Sequence, residues 1–252
     1  MRKILNRIFT IILNKICRVF GYSIVKRNSR YIDAKETVKK AKKAGLSICK
    51  YLESQEDDQG KAGRRDRIIN RIKAIGVFDN CINICEIGTG TGMYLEKVIE
   101  FARPKRYEIY EIADDWVEYL RKTYAKKGAL ELVFHNADGV SLKETLKNSC
   151  DLVHAHGVFV YLPLVQTFKY LHECARVCKE GGFIIFDCYL DKSFDYETIK
   201  KWINGKWQFA VILPEKSILD FAKENSLCLI NHFTEIHASS FVDYFIFKKI
   251  KN

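Results

Sequence analysis

The chain runs to 252 residues, carries a formal net charge of +11, and is 48% hydrophobic with only 3 Pro. That length suits one elaborated domain with a real core, and the composition excludes a disordered or fibrous chain. The charge is not spread over the body: residues 1–50 hold 14 Lys and Arg against 2 acids, whereas residues 51–252 hold 28 against 29. A basic tail on a near-neutral body argues against a nucleic-acid partner.

Nine cysteines stand singly or as Cys81/Cys85 and Cys174/Cys178, without the second pair that a zinc site needs. They read as buried free thiols of a chain kept in a reducing cytoplasm, with no metal site expected.

Residues 2–20 have helical periodicity. Ile4, Leu5, Ile8, Phe9, Ile12, Ile16, Val19 and Phe20 share one stripe, and Arg2, Lys3, Arg7, Lys15 and Arg18 lie off it. The charges rule out a membrane span, and no small-residue cleavage site marks a signal peptide. Two readings stay open for this arm: packing on the body or a partner chain, or a peripheral contact with the inner face of an anionic membrane. The arm is placed at 1–30 and a helical cap at 31–79, with Asp33 and Glu36 as a capping box and further helices near Leu46–Ser54 and Arg64–Ile75. The polar run Glu53–Arg65 is expected to be a loop.

From Asn80 strands alternate with helices. Strands are predicted at Cys81–Glu86, Tyr107–Glu111, Leu130–His135, Asp151–His156 and Gly182–Cys188. Helices are predicted near Met93–Phe101, Asp114–Tyr124, Leu142–Lys147 and Leu164–Cys178. An insertion with Trp202 and Trp207, a helix near Lys216–Glu224, and a hairpin of Leu227–Ile236 with Phe241–Lys248 complete residues 80–252. Such alternation makes an α/β fold with a parallel, doubly wound sheet.

The first strand runs into Glu86-Ile87-Gly88-Thr89-Gly90-Thr91-Gly92 and then a helix. Glycines in such a turn let the backbone pass close under a ligand. The spacing is GxGxG, with Met93 where a dinucleotide fingerprint wants its last glycine, and no P-loop Lys follows. Glu111 ends the second strand 19 residues after Gly92, where a carboxylate can accept both hydroxyls of a ribose or stand as a solvated acid. After the third strand, Asp138-Gly139 can meet an adenine or simply make a turn.

This set resembles the class I S-adenosylmethionine-dependent methyltransferases over about residues 80–250. Asp151–His156 resembles the family's fourth strand, and Ala175–Gly182 its helix-to-fifth-strand turn, with Glu180 where Pro is frequent. The resemblance implies a Rossmann-like seven-stranded sheet with the last strand antiparallel, behind an N-terminal helical extension. It implies S-adenosyl-L-methionine as cofactor, with Glu86, Gly88, Thr89, Gly90 and Gly92 around the methionine part, Glu111 on the ribose, and Asp138 with Gly139 at the adenine.

An oxygen acceptor also has to lose a proton. His156, at the end of its strand, is the first candidate base, and Asp187 is its rival. His154 reads as a core histidine. Tyr51 is placed by position alone near the cofactor carboxylate or the acceptor. Phe159, Tyr161, Trp202, Trp207 and Phe209 either line an acceptor pocket or pack the core. The expected activity is methylation of a small molecule or glycan, on oxygen, with an RNA methyltransferase or a non-catalytic membrane-associated cofactor-binding protein as alternatives.

Overall fold

The computed structural model describes residues 33–56, 63–124, 130–204, 210–237 and 240–251. The arm at 2–30 and the aromatic residues Trp207 and Phe209 lie outside them. Compactness divides the chain between Asp33 and Ala34, and only the second unit is described below.

Three helices lead in: α1 (Ala34–Lys43), α2 (Ile48–Glu56) and α3 (Arg64–Ala74). The polar run between α2 and α3 is shorter than expected, because α2 continues to Glu56. The alternating part holds β1 (Asn83–Ile87), α4 (Met93–Ala102), β2 (Arg106–Glu111), α5 (Asp114–Tyr124), β3 (Glu131–Asn136), β4 (Cys150–Ala155), α6 (Leu164–Val177) and β5 (Cys178–Leu190). Then come α7 (Tyr196–Asn204), the two-residue β6 (Ile212–Leu213), α8 (Glu215–Glu224), β7 (Leu227–His237) and β8 (Ser240–Lys249).

The strands form one sheet in the order β3-β2-β1-β4-β5-β8-β7, with β6 pairing the end of β5. Strands β1 to β5 are parallel, and β8 enters antiparallel between β5 and β7. The seven-stranded, doubly wound sheet with its last strand reversed is therefore present. Strand order reverses between β1 and β4, which opens a crevice at their carboxyl ends.

Each face buries its own core. Ile68, Ile69 and Ile72 of α3, Leu95 and Val98 of α4, and Leu120 of α5 cover Ile84, Ile109, Leu152, Ile185 and Ile246. Leu171 and Cys174 of α6, with Ile218 and Phe221 of α8, cover Val153, Ile184, Phe186 and Phe247. Each such side chain contributes about 1.5–3 kcal/mol when withdrawn from water. Because α3 shares a core with the sheet, the lead-in helices and the sheet form one compact unit.

Three expectations need correction. Residues 142–147 form turns rather than a helix. Arg176 donates to the carbonyls of Leu142 and Thr145 at 2.8 and 3.1 Å, and Glu173 accepts from the Leu142 N–H at 2.9 Å, so α6 takes the groups a helix would have paired. The insertion carries α7 and β6, and the amphipathic α7 buries Trp202 against Tyr189 and Phe194. Strand β5 begins at Cys178 and bulges. Cys178 pairs with Cys150 and Phe183 with Leu152, so the register shifts across Lys179–Gly182, where Glu180 is exposed. Gly182 is required there, since a Cβ would sit 3.0 Å from the carbonyl oxygens of Cys150 and Asp151.

Seven described cysteines are buried thiols and Cys228 is an exposed one. Among the described residues no helix is long and apolar enough to cross a membrane, and no group of three or more His, Cys, Asp or Glu could hold a metal ion.

Candidate active site

The turn from β1 to α4 sits at the crevice. Gly88 has φ +67° and donates its N–H to the Tyr110 carbonyl at 2.7 Å, and a Cβ on it would lie 2.5 Å from Val158 Cγ2. Only glycine fits that close approach. The Gly90 N–H donates to Glu111 Oε2 at 2.7 Å, and the Ala113 N–H donates to Oε1 at 2.8 Å. Burial pushes the Glu111 carboxyl upward, against these backbone donors. Thr89 is buried in the same turn.

Beside the turn lies a cavity of about 250 Å³, lined by Gly88, Glu111, Ile112, Gly139, Val158 and Tyr161 among others. An apolar slot with one carboxylate at its rim fits a nucleoside: the slot takes a flat base, and Glu111 can take ribose hydroxyls. Gly88, Glu111 and Gly139 are thus brought together. Asp138 is not among the lining residues. Its Oδ1 accepts the N–H groups of Val140 and Ser141 at 2.9 and 2.8 Å, and its Oδ2 accepts the Ser141 hydroxyl at 2.6 Å. The turn reading of Asp138 accounts for both oxygens. The exposed Ile112 and the aromatic Tyr161 are slot residues that the motif alone did not single out as cofactor neighbours.

The second half of the site lies across β4, β5 and β8. Asp187 and Tyr244 are direct partners across β5 and β8, and His156 follows Ala155, the β4 partner of Phe186. Asp187 Oδ1 accepts the Gly157 N–H at 2.7 Å, and Arg64 Nη2 of α3 stands 3.9 Å from Oδ2. The His156 ring lies flat on Tyr94 of α4, with centroids 3.8 Å apart. His156 is therefore next to the start of the helix that the glycine turn opens. Burial raises the Asp187 carboxyl to about 6, with Arg64 pulling it back. Burial drives His156 well below its ordinary range, helped by His154 and Arg64. At neutral pH Asp187 is mostly ionised and His156 is neutral.

A buried polar chain underlies both halves. The Tyr107 hydroxyl stands 2.9 Å from Glu86 Oε2 and 2.8 Å from His154 Nε2. Burial lifts Glu86 to about 8 and depresses His154 to about 3. Glu86 is thus mostly protonated at neutral pH and joins Tyr107 to Thr89 of the glycine turn. His154 is the core histidine that its place in the strand predicts.

Arg64, Arg65, Tyr94 and Tyr244 were missed from the sequence. Arg65 reaches from α3 to Glu53 at 2.8 Å and to the Met93 carbonyl at 3.4 Å, tying α2 to the glycine turn. Tyr51, the residue first placed there, is half-buried on α2. Of the aromatic residues, Tyr161 lines the cavity, while Phe159 and Trp202 pack the core. Tyr94 stands two residues past Gly92, which is the one signal that could have found it.

Residues 84–182 match the family model for a methyltransferase domain. The chain is similar to malonyl-[acyl-carrier protein] O-methyltransferase 2 of Ilyobacter polytropus, at 21% identity over 62% of this chain. The match spans just under two thirds of that relative, 66% of its length. The fold is shared with magnesium protoporphyrin IX methyltransferase of Synechocystis PCC 6803 with bound SAH, at TM-score 0.59 and 13% identity, covering 99% of this chain and 100% of that one. It is shared also with the N-methyltransferase NodS of Bradyrhizobium japonicum WM9 in complex with S-adenosyl-L-homocysteine, at TM-score 0.59 and 15% identity, covering 78% and 91%. The family model thus marks a methyltransferase domain at residues 84–182, and the sheet with its reversed last strand is the fold of the S-adenosylhomocysteine-bound methyltransferases it resembles.

Proposed function

We propose that the protein methylates a small molecule or glycan on oxygen, with His156 and Asp187 at the acceptor end of the site. The observation that supports this reading is the placement of an ionised carboxylate, Asp187, on the strand beside His156, which stacks on the helix leaving the glycine turn. S-adenosylmethionine supplies an electrophilic methyl group whose bonding pair stays on sulfur when an acceptor lone pair attacks.

The chain's own residues have three tasks. Gly88, Gly90 and Gly92 let the backbone close on the cofactor, and Glu111 holds the ribose. Tyr94 and His156 wall off water and fix the direction of approach. Asp187 takes the acceptor's proton. A carboxylate raised to about 6 is a stronger base than an ordinary one and is still ionised at pH 7. His156, held neutral with a strongly depressed affinity for protons, suits a wall better than a base.

Calorimetry with S-adenosylmethionine tests the cofactor half, and absence of binding overturns the reading. A survey of cell extracts with labelled methyl donor tests the acceptor half. Label recovered only in RNA, or on nitrogen or carbon, overturns oxygen methylation of a small acceptor.

A further inference from the structure

Away from the crevice, positive charge is concentrated on one helix. Residues 34–50 hold six Lys, one acid and no Arg, whereas residues 51–252 hold 28 Lys and Arg against 29 acids. In α1, Ala34, Thr37 and Ala41 are buried and set the inner face. At about 100° per residue, Lys35, Lys39, Lys42 and Lys43 fall within an arc of about 100° on the opposite side. All four are exposed. The one acid of the helix, Glu36, is taken by Lys40 on the flank at 2.8 Å, and Glu118 of the neighbouring α5 is taken by Lys122 at 2.6 Å. The helix is held in place at its start, where the Ala34 N–H donates to Asp115 Oδ2 in the first turn of α5 at 2.9 Å. That turn follows Glu111 and Ile112, both of which line the cavity, and Ile112 is 71% exposed. The start of α1 therefore sits at the sheet edge that carries the cavity.

We infer that the outer face of α1 is a docking surface for an anionic membrane, engaging lipid headgroups through charge. The kind of cation separates the candidate partners. Protein interfaces are built on buried Tyr, Trp and Arg and are depleted in Lys, and this face has none of the first three. Nucleic-acid sites use the Arg fork, which grips phosphates and base edges in pairs, and no Arg is present. A row of lysines is a set of flexible point charges, which matches a fluid layer of headgroups that offers no fixed geometry. Val38, exposed between Lys35 and Lys42, adds apolar contact on the border of the same face. Because the rest of the body is near neutral, attraction acts on one side and turns the cavity edge toward the bilayer. This surface uses residues 35–43 and not the arm at 2–30, and it does not depend on the methyltransferase reading.

Co-sedimentation of the full chain with vesicles tests this, at about 0.1 M salt, with phosphatidylcholine alone or with about 30% phosphatidylserine. Wild-type protein is expected to bind the anionic vesicles at least about tenfold more tightly than the neutral ones. The combined change Lys35→Gln, Lys39→Gln, Lys42→Gln and Lys43→Gln should weaken that binding by about tenfold or more. A control removes the same charge from exposed positions on α6, α7 and α8 through Lys169→Gln, Lys201→Gln, Lys216→Gln and Lys223→Gln, and should lose less than about threefold. Arg at the four α1 positions should keep the binding, since the charge is kept. If the fourfold Gln change lowers Tm, Lys39→Gln with Lys43→Gln takes its place, with about a threefold loss expected. No preference for anionic vesicles, equal losses in the α1 and control sets, or unchanged binding in the α1 set overturns the proposal. So does an α1 set that keeps its vesicle binding but loses affinity for poly(U) RNA or for polyglutamate.

Discussion

Tyr94 lies flat on His156, with ring centroids 3.8 Å apart and planes 8° from parallel. The stack joins the first turn of α4, which leaves the glycine turn, to the end of β4. It ties the segment that follows the glycine turn to the carboxyl end of β4. Truncation by Tyr94→Ala should lower kcat by about 3–10-fold, the worth of an aromatic pair, while cofactor affinity changes little. Tyr94→Phe keeps the rings and should retain most of the activity. Equal losses in both variants would mean that the hydroxyl matters instead of the stack.

Gly88 faces Val158 with no room for a methyl group, since a Cβ would stand 2.5 Å from Cγ2, and its φ is +67°. Gly88→Ala should weaken S-adenosylmethionine by at least about tenfold in calorimetry, from displaced backbone and left-handed strain of about 1–2 kcal/mol. Adding Val158→Ala relieves the contact but not the strain, so rescue should be partial. Full rescue would remove backbone strain from the account.

Glu111 bridges Gly90 and Ala113 through separate oxygens at 2.7 and 2.8 Å. Glu111→Ala should cost about tenfold or more in cofactor affinity, as charge-assisted bonds of about 1.5–3 kcal/mol are lost. S-adenosylhomocysteine should suffer equally, because the ribose is common to both. A loss confined to the methylated cofactor would place Glu111 elsewhere.

If Asp187 takes the proton, kcat/KM should rise with pH through about 6 and then level, because the group must be ionised and burial has raised it to that value. Arg64, His156 and Tyr244 face it. His156 stays neutral above this range, so it adds no second step there. Asp187→Asn should remove the step together with most of the turnover. A step that survives in that variant assigns the proton to another group.

Glu86 is linked to stability. Burial raises its folded pKa to about 8, from an ordinary value of 4.5. The folded state therefore holds a proton that the unfolded state has released over that interval. Its stabilising effect is complete below about 4.5 and is lost as pH climbs to about 8, at up to about 1.4 kcal/mol per pH unit. Glu86→Gln, which cannot ionise, should flatten the fall in Tm between pH 5 and 8. An unchanged slope would show that Glu86 is already charged when folded.

The local half of the architecture was legible in residue order. Apolar runs separated by helical periods give β1 to β5, and the GxGxG turn with Glu111 marks the crevice, because these residues act within one strand–turn–helix unit and its neighbour. Two kinds of feature were not legible. Residues 142–147 have helical periodicity but lie under Arg176 and Glu173 of α6, which capture their backbone groups. Tyr244 and Arg64 reach Asp187 only through the β5–β8 register and the seating of α3, contacts far apart in sequence with no local signature.

The insertion of β8 between β5 and β7 sets an order of assembly. As the chain leaves the ribosome, the residues that line the cavity, from Ile87 to Tyr170, all emerge before β8. Asp187 then waits at an open sheet edge until β8 threads in and brings Tyr244 opposite it. The crevice at the glycine turn can therefore close before the far edge of the sheet does.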